Sequence, residues 1–147
     1  MSYRQLLYQI VFGTKSHIPS INHNCDELYK YITGIIHNKK CKPYRINGTE
    51  DHIHIICDIH PTVPISGFVQ DVKVASSIWI KQSGLFPIFN GWAYEYGVFS
   101  YSIKERDILI EYVKNQKEHH KHTSFIEEYR ALLIEHGIEF DEKYLLN

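Results

Sequence analysis

The segment Asp51-His52-Ile53-His54-Ile55-Ile56-Cys57-Asp58-Ile59-His60 constrains the fold more than any other part of the chain. Its alternation fits a β-strand over 51–60, because successive side chains of an extended backbone point to opposite faces. One face receives Ile53, Ile55, Cys57 and Ile59, an apolar row suited to a core beneath helices. The other receives His52, His54, Ile56, Asp58 and His60. The first row asks for a sheet packed on helices, and the second equips the opposite face for chemistry.

Other elements arrange themselves around this strand. Tyr3 to Phe12 reads as a first strand, and Leu28, Ile32, Ile35 and Ile36 mark a first helix over Asp26 to His37. Cys41 to Asn47 forms a second strand, with Asn47-Gly48 as the turn signal of a hairpin to 51–60. Pro61 and Pro64 precede a second helix over Ser66 to Ser83, whose apolar stripe is Phe68, Val72, Ala75 and Trp79. A loop marked by Gly84, Pro87 and Gly91 leads to a fourth strand over Trp92 to Tyr101. Ser102 and Glu105 form a capping-box pattern opening a third helix over Ile103 to Lys117. Ser124 and Glu127 repeat it for a last helix that Gly137 closes. The order β-α-β-β-α-β, followed by helices, predicts an α+β chain. It is a ferredoxin-like split β-α-β with an antiparallel sheet. The 147 residues suit one domain, 1–147, with 103–147 as a C-terminal helical segment.

Composition bounds the function. The N-terminal stretch has neither the basic start nor the apolar run of a signal peptide, and no run is long enough to span a bilayer. Cys25, Cys41 and Cys57 form no CxxC pair, so neither a zinc knuckle nor a disulfide framework is indicated and a reducing cytoplasm is expected. The net charge of -1 limits any nucleic-acid surface to a local one.

On the polar face of the strand, His52 and His54 at i and i+2 can converge on one divalent ion. Asp58 and His60 sit further along, as accessory ligands or orienting groups. The alternative is an exposed sheet face that merely tolerates histidines. In the third helix, Tyr112 and Gln116 lie one turn apart on a shared face. A tyrosine beside a metal-bound phosphate can act as a nucleophile, and the Gln116 carbonyl suits a hard ion. Spacing alone equally assigns Tyr112 to the packing stripe of Ile108, Leu109 and Val113. His119 and His120 follow within Lys117 to His122, a run that fits a phosphate-contacting patch, a spare metal ligand at His119 or His120, or a solvated helix end.

Taken together these segments resemble the single-tyrosine HUH transposases, the single-strand DNA transposases of the two-hundred/six-hundred-and-five insertion-sequence group and their REP-associated relatives. His52-Ile53-His54 is similar to their His-hydrophobic-His motif, and Tyr112-Val113-Lys114-Asn115-Gln116 to their tyrosine helix. Thr14-Lys15, Lys73 with Ser76-Ser77, and Tyr96-Gly97-Val98-Phe99-Ser100 resemble further family segments in the family's order. The resemblance implies His52, His54 and Gln116 as ligands of Mg2+ or Mn2+, and Tyr112 as nucleophile. It further implies a 5′-phosphotyrosine intermediate and a free 3′-OH that can rejoin strands. The implied partners are single-stranded DNA with hairpins and a second copy of the chain, in a homodimer whose active sites can be shared. On the second helix Gln70, Lys73, Ser77 and Lys81 share a face. With Lys39, Lys40, Lys42 and Arg45 they are the expected DNA-backbone contacts, against the plain reading of a solvated surface. Two rivals remain open: a domesticated DNA-binding relative that no longer transposes, and a metallohydrolase built on His52, His54, Asp58 and His60.

Overall fold

The computed structural model describes residues 2–145, so residues 1, 146 and 147 of the expected 1–147 domain lie outside the described residues. Four strands, β1 (Leu7–Gly13), β2 (Lys42–Gly48), β3 (His52–Asp58) and β4 (Gly97–Tyr101), form one sheet in the order β2-β3-β1-β4. Every neighbouring pair is antiparallel. This is the α+β arrangement that the order of elements predicts, with β3 and β1 in the middle of the sheet.

Helices α1 (Cys25–Asn38) and α2 (Ile65–Ser83) cover one face. Leu28, Ile32 and Ile36 of α1, and Phe68, Val69 and Val72 of α2, pack against Ile10, Phe12, Ile53, Ile55 and Cys57. The apolar row of β3 therefore lies in the main core, as its alternation requires. Helix α2 ends at Gly84, whose φ of 70° is the left-handed conformation a helix C-terminus favours for glycine.

The opposite face is covered by the rest of the chain. A capping box of Ser102 and Glu105 opens a short 3-10 turn that runs into α3 (Arg106–Lys114). Next come α4 (Gln116–His119), α5 (Phe125–Glu135) and α6 (Glu142–Leu145). Leu109 and Val113 pack on Leu7 and Ile56, while Phe125, Leu132 and Leu133 pack on Val11 and Phe99. His52 and His54 are thus sealed between the sheet and these helices.

Three local expectations are corrected. The strand predicted over Trp92 to Tyr101 is broken: Trp92 makes an isolated antiparallel bridge to Thr14, continuous pairing resumes only at Gly97, and between them Lys73 Nζ donates to the carbonyls of Ala93, Tyr94 and Glu95 at 2.9 to 3.0 Å. Asn47 and Gly48 are not the hairpin turn. Both stay in β2, opposite His54 and Ile53, and the turn falls at 49–51, with the Thr49 amide bonded to the His52 carbonyl. The helix predicted over 103–117 is interrupted at Asn115, so Tyr112 and Gln116 lie on consecutive short helices.

Candidate active site

Strand β3 delivers both histidines. His54 lies opposite Val11 of β1 and Asn47 of β2, and His52 lies opposite Gly13. The Asn47 side chain leaves the sheet edge and donates to the carbonyls of Val113 and Lys114 at 3.1 and 3.0 Å. Those carbonyls end α3, where the helix's own hydrogen-bond ladder runs out. The residue beside His54 therefore also anchors the helix that carries Tyr112. Lys117 strengthens the joint by donating to Asn47 Oδ1 and to the Gly48 carbonyl.

At the centre is a residue the sequence reading missed. Glu128 is almost fully buried, and its two oxygens face different partners. Oε1 lies 2.9 Å from His54 Nε2, 3.0 Å from His120 Nε2 and 3.4 Å from His52 Nε2. Oε2 accepts hydrogen bonds from the Tyr112 hydroxyl and, at 2.7 Å, from Gln116 Nε2. Gln116 turns its other atom, Oε1, to His52 Nε2 at 3.0 Å. The Tyr112 ring is 5.9 Å from the His54 ring of the same chain. His52, His54, Gln116, Tyr112 and His120 therefore form one cluster. His119 stands at its rim, with Nε2 3.5 Å from Glu128 Oε2.

Each histidine at the centre is held from behind by an acceptor. His52 Nδ1 meets Asp51 Oδ1 at 2.8 Å, His54 Nδ1 meets Gln9 Oε1 at 2.7 Å, and His120 Nδ1 meets the Thr123 carbonyl at 2.5 Å. A carboxylate or carbonyl can only accept, so Nδ1 of each ring is placed to donate and Nε2 is turned into the centre. Three Nε2 atoms thus converge on one carboxylate oxygen, where they can donate to it as N–H groups or, once deprotonated there, offer lone pairs to a shared cation. The four ligand atoms of His52, His54, His120 and Glu128 lie within 4.8 Å of one another, and this set can hold a metal ion. Gln9 is itself fully buried, and its Nε2 donates to the Tyr101 hydroxyl at 2.9 Å. Phe125 stacks on His52 with ring centroids 4.1 Å apart and planes at 8°. Room for that ring comes from Gly13, where a Cβ would lie 2.9 Å from Phe125 Cε2.

The charges follow from this packing. Burial favours neutral His54 and takes its pKa to about 4. Burial acts the same way on His52, but hydrogen bonds to Asp51 and Glu128 outweigh it and raise the pKa. Burial alone would raise Glu128, yet its hydrogen bonds to His120, His52 and His54 hold it far below the usual carboxylate range. Tyr112 is pushed well above the ordinary phenol value, first by burial and then by the Glu128 charge.

The other predicted residues lie elsewhere. Asp58 and His60 stand at the far end of β3, and His60 Nδ1 contacts the Thr62 hydroxyl at 2.7 Å. With roughly 3.3 Å per strand residue they cannot share a ligand set with His52. Lys39, Lys40, Lys73, Ser77 and Lys81 belong to or follow the helices on the opposite face of the sheet. Lys39 pairs with Asp71, and Arg45 is exposed on edge strand β2. Gln70, Lys73 and Ser77 meet Tyr94 and Tyr96 in a groove between α2 and the 92–96 loop. Burial takes the Lys73 pKa to about 8, which leaves it protonated at neutral pH, as its three carbonyl acceptors require. Ser76 accepts from the Trp92 indole at 2.9 Å, so it helps fix the same loop. Glu128 did leave a sequence signal: it is the one charged residue in the stripe Phe125, Glu128, Leu132 and Leu133.

Comparison with known proteins identifies the family and the fold. A family model described as "Transposase IS200 like" matches residues 2–116 and so ends on Gln116, before His120 and Glu128. A crystal structure of a candidate transposase from Deinococcus radiodurans R1 superposes with a TM-score of 0.62 at 22% identity, covering 79% of this chain and 95% of that one. The structure of a REP-associated tyrosine transposase bound to a REP hairpin gives a TM-score of 0.57 at 13% identity, covering 82% of this chain and 74% of that one. At these identities both likenesses concern the fold. No curated protein matches the sequence. With the family model spanning most of the chain, this protein belongs to the IS200-like transposase family.

Proposed function

We propose that this chain cuts and rejoins single-stranded DNA through a covalent link to Tyr112. The observation that carries this reading is the meeting of Tyr112, Gln116, His52 and His54 around one buried carboxylate, in a member of a transposase family. Residues 1–147 act as one HUH endonuclease domain in this reading. Its substrates are DNA hairpins of the kind seen with the REP-associated enzyme.

The Tyr112 hydroxyl is the nucleophile. Its oxygen attacks the scissile phosphorus and the bond from phosphorus to the 3′ oxygen breaks. The phenolic proton leaves along the hydrogen bond to Glu128 and ends on the departing 3′ oxygen. Because burial keeps Tyr112 protonated at neutral pH, this transfer accompanies the attack rather than preceding it. A divalent ion on His52, His54 and Gln116, magnesium or manganese in the family resemblance, would polarise the phosphate and offset its charge. Reverse attack by another 3′-OH restores free Tyr112 and joins the strands without an external energy source. DNA reaches Tyr112 from a cleft it shares with Gln9, Tyr101, Ile108 and Glu135. Lys40 and Lys81, with the groove of Lys73 and Ser77, supply backbone contacts on the other face of the sheet, Arg45 adds one at the exposed β2 edge, and Lys39 joins them when it leaves Asp71. The homodimer belongs to this reading with each tyrosine serving its own chain, since Tyr112 already sits beside its own His54.

The test is incubation of the protein with labelled single-stranded hairpin oligonucleotides and manganese. A covalent protein–DNA adduct that disappears in Tyr112→Phe is expected. An adduct that persists in Tyr112→Phe sinks the assignment, and an adduct without strand joining identifies a domesticated relative.

A further inference from the structure

The segment that follows the family match contributes to the centre as heavily as the matched part. His120 and Glu128 lie beyond residue 116, yet Glu128 Oε1 is the atom on which three imidazole Nε2 atoms converge. All three rings are fixed from behind by acceptors, so this convergence is built in three independent places: the 49–51 turn, strand β1 and the turn before α5. Phe125 on His52 closes the site from the α5 side.

We propose that His120 and Glu128 join His52 and His54 as ligands of the divalent ion, and that this nitrogen-rich set selects zinc, cobalt(II) or manganese over magnesium. This deepens the reading above and rests only on the site holding a divalent ion, not on strand transfer. Magnesium prefers an octahedron of oxygens and keeps several of its waters. Two imidazoles and an amide oxygen leave room for those waters. Three imidazoles and a carboxylate in a buried pocket do not, and they match the donors that zinc and its neighbours take. Within that series manganese binds most weakly, so the expected order is zinc and cobalt(II), then manganese, then magnesium. The bound ion also ties α5 to β3, which makes residues 117–135 part of the metal centre rather than an appendage.

The experiment uses the full chain, freed of metal with a chelator and titrated with each ion alone. One equivalent of cobalt(II) is expected to give a visible absorption band, with affinity at least about tenfold above that for magnesium by calorimetry. His120→Ala and Glu128→Gln are each expected to weaken cobalt(II) binding by at least roughly tenfold, since even outer-shell losses cost about 10–100-fold. Both should also change the band, while exposed His122→Ala leaves it unaltered. Circular dichroism checks that each variant is folded, and the ion order on the unmodified chain needs no variant at all. Magnesium binding as tightly as cobalt(II) overturns the proposal, and so do folded variants within twofold of the parent. Tyr112→Phe separates the two readings. A cobalt(II) site without any Tyr112 adduct defeats strand transfer alone, whereas a Tyr112 adduct with magnesium-preferring binding defeats this inference alone.

Discussion

Replacing Gln9 by leucine isolates the question of what orients His54. Gln9 is fully buried, accepts a hydrogen bond from His54 Nδ1 at 2.7 Å and donates to Tyr101 at 2.9 Å. Leucine keeps most of the volume and removes both bonds. The Tyr101 hydroxyl retains His136, 3.1 Å away, but the His54 Nδ1–H is left in a site that water does not reach. One such buried donor costs about 1–3 kcal/mol. In a chain of this size each kcal/mol lowers Tm by roughly 2–4 °C, so a fall of about 2–12 °C is expected by circular dichroism. A structural role would end there. An orienting role adds a loss of roughly 10–100-fold in metal affinity, because the ring is then free to turn or to change tautomer. Gln9→Glu supplies the discriminating arm. Its carboxylate accepts from His54 Nδ1 and from Tyr101, so metal affinity should return to near the parent value. Calorimetric titration with cobalt(II) of the three proteins decides the matter. A Gln9→Leu protein that melts early but binds the ion within twofold of the parent refutes the orienting role.

Three further outcomes follow from the packing. Lys73→Met removes the donor shared by three carbonyls and should cost roughly 1.5–3 kcal/mol in urea unfolding, the worth of one hydrogen bond to a charged group. Hydrogen exchange should rise at 93–96 while the metal centre is unaffected, and unchanged exchange there would contradict the loop-holding role. Gly13→Val drives a side chain into Phe125 and should cost about 1–3 kcal/mol, with the His52 ring resonance moving as its stacking partner shifts; an unmoved resonance argues against the stack. The third concerns acid. His54 has a folded pKa of about 4 against an ordinary 6.5, so the folded state favours the neutral ring. Its contribution is complete above pH 6.5 and is lost as pH falls through about 4, an acid loss of about 3 kcal/mol in metal-free protein. Urea unfolding at pH 7 and pH 4 should show that loss in the parent and a smaller one in His54→Gln; equal losses would count against it.

Much of the scaffold was legible because it depends on local periodicity. The alternation of β3 placed Ile53, Ile55 and Cys57 in the core and both histidines on the other face, and each of them is buried there. The order of elements implied the antiparallel sheet. What went astray were positions where a distant side chain overrides a local signal. Asn47-Gly48 reads as a turn, yet the Asn47 amide is drawn to the end of α3, and the pair stays in the strand. Trp92 to Tyr96 has strand composition, but one lysine from α2 takes its carbonyls.

The site divides along the same line. His52 with His54, and Tyr112 with Gln116, are visible because each pair is close in sequence, the first on one strand and the second across the break between two consecutive short helices. Glu128 pairs with His54 across 74 positions and with Gln9 only through that ring, so no spacing rule links them. The local trace it leaves, a carboxylate within the stripe Phe125 to Leu132, says that a charge is buried without saying against what. A buried carboxylate must be paired to be tolerated. Its partners then have to be cationic or able to donate, and the chain's surplus of histidines narrows the choice. Tyr112 is the converse case. Helix spacing assigned it equally to packing, and the fold grants both roles: the ring packs beside Val113 and Leu109 while the hydroxyl reaches Glu128. A core tyrosine and a nucleophile are therefore not competing descriptions here, because burying the ring is what aims the oxygen.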